Sequence, residues 1–204
     1  MANILYLHGL GSGPMSHTPG VLREALPDDT VISPEIPIKP KEAYEFLMDS
    51  FSMPHDIDLV VGTSLGGFYA MCLGWTDKLL INPAMFADDD IRNAIGIGEQ
   101  PFFNKRSDGA KSYVIDEAFL SELKTIREKI YSSRGERLKV NEPDRTWAMF
   151  GKNDPLFSHY DDFCRIFLPD HASWFDGEHR LSEENIYREI VPVIHKILKG
   201  PHIH

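Results

Sequence analysis

Short, nearly unbroken apolar runs alternate along this chain with stretches in which apolar residues return every three or four positions. The runs lie at 4–7 (Ile-Leu-Tyr-Leu), near 30–33, and at 57–61, 78–83, 146–151 and 172–175. Bounded by Gly, Pro, Asn or Asp, such runs read as strands buried on both faces. Pro83 closes the fourth run, because proline cannot continue a ladder. Helical spacing falls at about 17–26, 41–51, 65–74 and 183–198. In the last helix, Ile186, Ile190, Val193, Ile194 and Ile197 mark a core-facing stripe, and Pro192 is expected to interrupt and bend it. Strand and helix signals in alternation predict parallel strands joined by crossover helices. The expected architecture is an α/β fold of three layers, α-β-α, around a mostly parallel sheet of about six strands.

Between Pro83 and Arg145 the alternation stops for about sixty residues, longer than one crossover usually needs. Segment 84–145 is therefore expected to be an inserted cap. Phe119, Leu123, Ile126, Arg127 and Ile130 suggest one amphipathic helix within it, while Ile95–Pro101 and Ser107–Gly109 suggest loops. Phe102, Phe103 and Tyr113 are its candidates for lining a substrate pocket. With 204 residues in all, one well-buried domain is expected, spanning the whole chain.

Charge removes several function classes. A formal net charge of −10 disfavours nucleic acid and anionic lipid as partners, since both need clustered Lys and Arg. No apolar run approaches the length that spans a bilayer, and the first residues lack the basic and long apolar regions of a signal peptide, so the expectation is a cytoplasmic protein. The two cysteines, Cys72 and Cys164, form no C-x-x-C pair and read as reduced thiols. Zinc spacings are absent from the sequence, and no metal or organic cofactor is expected.

The chemistry is concentrated where the third run ends. Asp58-Leu59-Val60-Val61 leads into Gly62-Thr63-Ser64-Leu65-Gly66, a G-x-S-x-G turn opening a helix. That order of strand, turn and helix describes a nucleophile elbow presenting Ser64, with the Leu65 N–H as an oxyanion donor. A serine hydroxyl needs a base, and among nine histidines His179 lies after the sixth run and before the last helix. His171, His195, His202 and His204 would each need a different loop geometry. Asp154, in Gly151-Lys152-Asn153-Asp154-Pro155 after the fifth run, is the expected acid, with Asp161 and Asp162 competing. Its ordinary alternative is an Asx-turn. The loop His8-Gly9-Leu10-Gly11-Ser12-Gly13 after the first strand offers the Leu10 N–H as second oxyanion donor, and His8 is expected to order that loop.

Leu5-Tyr6-Leu7-His8-Gly9, Gly62-Thr63-Ser64-Leu65-Gly66-Gly67-Phe68-Tyr69-Ala70 and Ile81-Asn82-Pro83-Ala84 together resemble the small bacterial esterases of the YqiA type, within the α/β-hydrolase superfamily. The matches lie at corresponding places along nearly the full chain. The resemblance implies a serine carboxylesterase with Ser64 as nucleophile, His179 as base and an acid after the fifth strand. Two features depart from it: the acid motif G-K-N-D-P and a longer segment 84–145. The functional expectation is hydrolysis of a small acyl ester through an acyl-enzyme. A thioesterase or amidase using the same triad, and a catalytically idle binding module on the same fold, are the alternatives.

Overall fold

Alternate residues of a strand point to opposite faces, so a run that is apolar throughout must be covered on both sides. The computed structural model, which describes residues 1–51, 57–131 and 143–200, meets that demand with two separate cores. Its strands are β1 (Asn3–Leu7), β2 (Thr30–Ile32), β3 (Leu59–Thr63), β4 (Asp77–Ile81), β5 (Gly98–Pro101), β6 (Ser112–Ile115), β7 (Thr146–Gly151) and β8 (Ala172–Phe175). Six form one sheet in the order β2-β1-β3-β4-β7-β8, with every neighbouring pair parallel. All their C-terminal ends therefore lie along one edge, where open α/β sheets place their sites.

The pleat sorts the side chains. Ile4, Tyr6, Leu59, Val61, Leu79 and Ile81 face α1 (His17–Ala25) and the last helix. Leu5, Leu7, Val60, Leu80, Ala148 and Phe150 face α2 (Pro40–Phe51), α3 (Leu65–Ala70) and, farther on, α4 (Ala87–Ala94), α5 (Glu117–Tyr131) and α6 (Tyr160–Ile166). The last helix starts with a capping box between Ser182 and Asn185 in α7 (Glu183–Asn185). It continues through a π-helical stretch, Ile186–Ile190, into α8 (Val191–Leu198). The interruption expected at Pro192 takes this form: the π stretch Ile186–Ile190 lies in the turn before it, a local widening of the helix at its proline. No described helix is long and apolar enough to cross a membrane.

Segment 84–145 differs from its sequence reading in two places. The stretch 95–101 was expected as loop, but Gly98–Pro101 forms β5 and pairs antiparallel with β6. Gly96, Gly98 and Pro101 are breaker residues that hide the strand; the pattern that reveals it belongs to the partner, where Tyr113 and Ile115 are buried and Ser112 and Val114 exposed. Helix α4 had no sequence signal either, because Asp88, Asp89 and Asp90 fill its first turn. Acidic residues suit a helix N-terminus even while they erase apolar periodicity. The predicted amphipathic helix is α5, and Phe119, Leu123, Ile126 and Ile130 enter the same core as Leu5, Val60 and Leu80. Arg127 joins the two helices through Asp88 at 3.1 Å and Asp89 at 2.6 Å.

A second junction ties α4 to α6. His159, at the start of α6, places Nε2 2.9 Å from Asp90 Oδ1 and Nδ1 3.0 Å from Asp162 Oδ2; Asp162 also pairs with Arg165. Burial opposes charge on this ring, but two carboxylate acceptors outweigh it and raise the His159 pKa above its ordinary 6.5. The group is more basic folded than unfolded, so its stabilisation is complete below about pH 6.5 and fades as pH rises through the folded value. Urea unfolding of the protein and His159→Gln should therefore differ most at pH 5.5–6.5 and converge toward alkaline pH. A difference independent of pH would contradict the doubly paired imidazolium.

Candidate active site

Ser64, between β3 and α3, is bent to φ 53° and ψ −119°. Such a conformation persists in a non-glycine residue only where the surroundings over-determine it. Here the surroundings are backbone. A Cβ on Gly66 would strike the carbonyl oxygens of Leu7 and His8, and a Cβ on Gly62 would strike Gly66 and Gly67, so the turn closes only with glycine at both places. The Ser64 N–H donates to Ile81 O at 3.0 Å, and Ser64 O accepts from the Ala84 N–H at 3.1 Å. Elbow and β4 end are thereby locked together.

The loop after β1 lies against the serine. A methyl on Gly9 would come within 3.3 Å of Ser64 Cβ. His8 is buried and orders this loop: Nδ1–H donates to Gly9 O at 3.0 Å, while Nε2 accepts from the Ile36 N–H at 3.4 Å. Those partners select the neutral tautomer, and burial lowers its pKa in the same direction. Neither the Leu10 nor the Leu65 N–H donates a hydrogen bond among the described residues, so both are available to an incoming oxygen.

Asp154 and His179, on the loops beyond β7 and β8, meet with Oδ2 2.7 Å from Nδ1. The carboxylate side chain is 2% exposed and the imidazole 14%. Asp154 also performs the ordinary turn role, because its other oxygen, Oδ1, accepts from the Leu156 N–H at 2.8 Å. Phe157 stands edge-on to the His179 ring with centroids 5.0 Å apart. Ser64 Oγ has no hydrogen bond among the described residues; contacts of this kind commonly tighten only around substrate. The competing acids are placed elsewhere: Asp162 is bound to His159 and Arg165, and Asp161 is exposed on α6. His171 stacks on Trp147 with its Nδ1 3.2 Å from Thr146 O, and His195 belongs to α8. His202 and His204 lie outside the described residues.

A solvent-open cleft is walled by Leu10 and Leu65 together with Ile36, Tyr69, Phe102 and Arg106 among others; Ser64, Asp154 and His179 themselves are not among its walls. Phe102 reaches it from the segment between β4 and β7. Tyr113 is buried behind Phe102, with ring centroids 4.9 Å apart. Phe103 is 59% exposed; its N–H donates to Gly11 O at 2.8 Å and its ring lies 4.5 Å beneath the Arg180 guanidinium. This one residue bridges the loop after β1 and the loop bearing His179. Arg106 is buried and spent on Glu35 at 3.0 Å and Asp108 at 3.1 Å, so it adds no free charge to the cleft. No group of three His, Cys, Asp or Glu side chains among the described residues is placed to hold a metal ion.

Asn82 is a buried polar residue with no role assigned from the sequence. It sits where β4 ends, 3% exposed, at φ 44°. Its Oδ1 accepts from the Gly151 N–H at 2.7 Å, and its Nδ2 faces the carbonyls of Glu178 at 3.0 Å and His179 at 3.3 Å. An asparagine ending a strand just before a proline is the available signal, since Asn tolerates the left-handed region better than most residues.

Comparison with solved structures places the fold. Est1E from Butyrivibrio proteoclasticus superposes with a TM-score of 0.63 at 11% identity, covering 98% of this chain and 89% of that one. Alpha/beta hydrolase domain-containing protein 10 from mouse gives 0.63 at 13%, over 96% and 90% of the two chains. The esterase domain of a Rhodothermus marinus protein gives 0.57 at 15%, over 96% and 85%. The parallel sheet and its flanking helices are those of the α/β-hydrolase fold. Residues 3–195 match the family described as Uncharacterised protein family (UPF0227), and this chain, built on the α/β-hydrolase fold, is a member of that family.

Proposed function

We propose that this chain is a serine hydrolase that cleaves a carboxylic ester of a small acyl group through an acyl-enzyme. The observation that carries the reading is the 2.7 Å contact between Asp154 Oδ2 and His179 Nδ1, at the same sheet edge as the strained Ser64. His179 Nε2 takes the Ser64 hydroxyl proton as Oγ attacks the ester carbonyl carbon. The carbonyl oxygen becomes an oxyanion that accepts hydrogen bonds from the N–H groups of Leu65 and Leu10. On collapse the C–O bond to the leaving group breaks, and His179 returns its proton to the departing alkoxide. Water then attacks the acyl-enzyme, again losing a proton to His179, and releases the acid with Ser64 regenerated. Asp154 keeps the His179 proton on Nδ1 and stabilises the imidazolium. The cycle consumes ester and water.

Phe102 and the aliphatic walls of the cleft favour a short apolar acyl group, and the segment carrying Phe102, Phe103 and Tyr113 acts as a modest cap. Thiol esters and amides would use the same groups, so oxygen and thiol esters of one acyl chain should be assayed in parallel.

A fluorophosphonate probe should label Ser64, and Ser64→Ala should lose both labelling and turnover while keeping its unfolding midpoint. Peptide mass spectrometry reads the site; labelling elsewhere, or turnover that survives the change, contradicts the proposal. Asp154→Asn should lower kcat by about 10³- to 10⁴-fold, whereas Asp162→Asn should cost less than about tenfold. Equal losses would mean the acid is misassigned. Across a p-nitrophenyl ester series, Phe102→Ala should reduce kcat/KM for the shortest acyl groups about tenfold and move the optimum toward longer ones. An unchanged profile would place the acyl group outside this cleft.

A further inference from the structure

We infer that Asn82 is a positioning residue that holds the His179 loop at a fixed distance from Ser64, a role that rests on the triad reading above. The three proposed catalytic side chains leave three different strands, β3, β7 and β8. Backbone hydrogen bonds hold the turns after β7 and β8 to each other, from the Lys152 N–H to Phe175 O and from the Asn153 N–H to Gly177 O, both at 3.0 Å. Asn82 ties that pair of turns to the end of β4, and so to the elbow.

Its main chain belongs to the elbow side. The residues on either side of the Asn82-Pro83 pair grip Ser64, through Ile81 O from the serine N–H and through the Ala84 N–H to the serine carbonyl. The Asn82 N–H extends the ladder to β7 by donating to Met149 O at 2.9 Å. Its side chain belongs to the other two loops. Oδ1 takes the N–H of Gly151, where the turn to Asp154 begins, and Nδ2 donates to the carbonyls of Glu178 and His179. The network permits one amide orientation, because an N–H must face the oxygen and two carbonyls must face the nitrogen.

The division of labour with Asp154 is clear. Asp154 sets the tautomer and tilt of the imidazole through Nδ1, whereas Asn82 sets the backbone from which that ring hangs. A displacement of that hinge moves Nε2 relative to Oγ without breaking the Asp154–His179 contact. Misplacement by about 1 Å is enough to cost about 100-fold in rate.

Asn82→Gly tests this, since glycine accepts φ 44° without strain and deletes only the amide. Asn82→Asp is the companion: it keeps an acceptor for Gly151 and sets a carboxylate oxygen against the two carbonyls. For both variants and the unaltered protein, the rate of Ser64 labelling by a fluorophosphonate, the final labelled fraction, p-nitrophenyl butyrate kinetics and the unfolding midpoint are measured. The expected result is a labelling rate and kcat lowered about 10- to 100-fold, with KM within about threefold and each chain still labelled to completion. Rates within about twofold of the unaltered protein in both variants would overturn the positioning role. So would a loss explained wholly by a smaller labelled fraction, because a merely structural residue reduces the amount of folded protein and not the rate per folded chain. Failure of the unaltered protein to label at Ser64 is a different result: it removes the triad reading, and the positioning role with it.

Discussion

The whole working edge of this sheet depends on one backbone crossing in which the turn after β3 passes directly against the end of β1. Gly66 meets the carbonyls of Leu7 and His8 at a separation no side chain could share. That contact, with Gly62 folded against Gly66 and Gly67, drives Ser64 into a conformation costing about 1–3 kcal/mol. The cost is offset by burial of Leu65, Phe68, Tyr69 and Ala70 in the core immediately beyond. Strain at the serine and packing of α3 are thus two sides of one arrangement. Relaxing the turn would withdraw the apolar face of that helix.

From this crossing the rest of the edge follows by hydrogen bonds. The elbow grips the end of β4, the end of β4 carries Asn82, and Asn82 reaches the turns after β7 and β8. Among the described residues, the segment between β4 and β7 shares the core beneath the sheet, into which α5 inserts, while Phe102 lines the cleft. His159 fastens α4 to α6 beside Phe157, which itself packs on His179. The elements around the cleft are therefore coupled through short contacts between rigid pieces.

Much of this was legible in the residues because the signals were local. Apolar runs gave the six parallel strands, and G-x-S-x-G placed the elbow, since the steric need for glycine is met within five consecutive positions. Chain order alone put Asp154 and His179 on loops after consecutive sheet strands, and the structure holds them 2.7 Å apart. What stayed hidden depends on partners distant in sequence. β5 carries glycines and a proline and is a strand only because Tyr113 and Ile115 on β6 are anchored in the core. Helix α4 looks polar because its carboxylates serve Arg127 and His159 across space. Asn82 reads as the end of a strand, and its side-chain partners lie in two loops that no sequence window joins to it.

The most direct test of the proposed triad and its oxyanion donors is a crystal structure of the protein after reaction with a small alkyl fluorophosphonate. Phosphorus should be bonded to Ser64 Oγ, with the phosphonyl oxygen about 2.7–3.1 Å from the N–H groups of both Leu65 and Leu10 and the His179 ring facing the adduct with Asp154 behind it. An adduct on another residue would contradict it. So would a phosphonyl oxygen turned away from those two N–H groups.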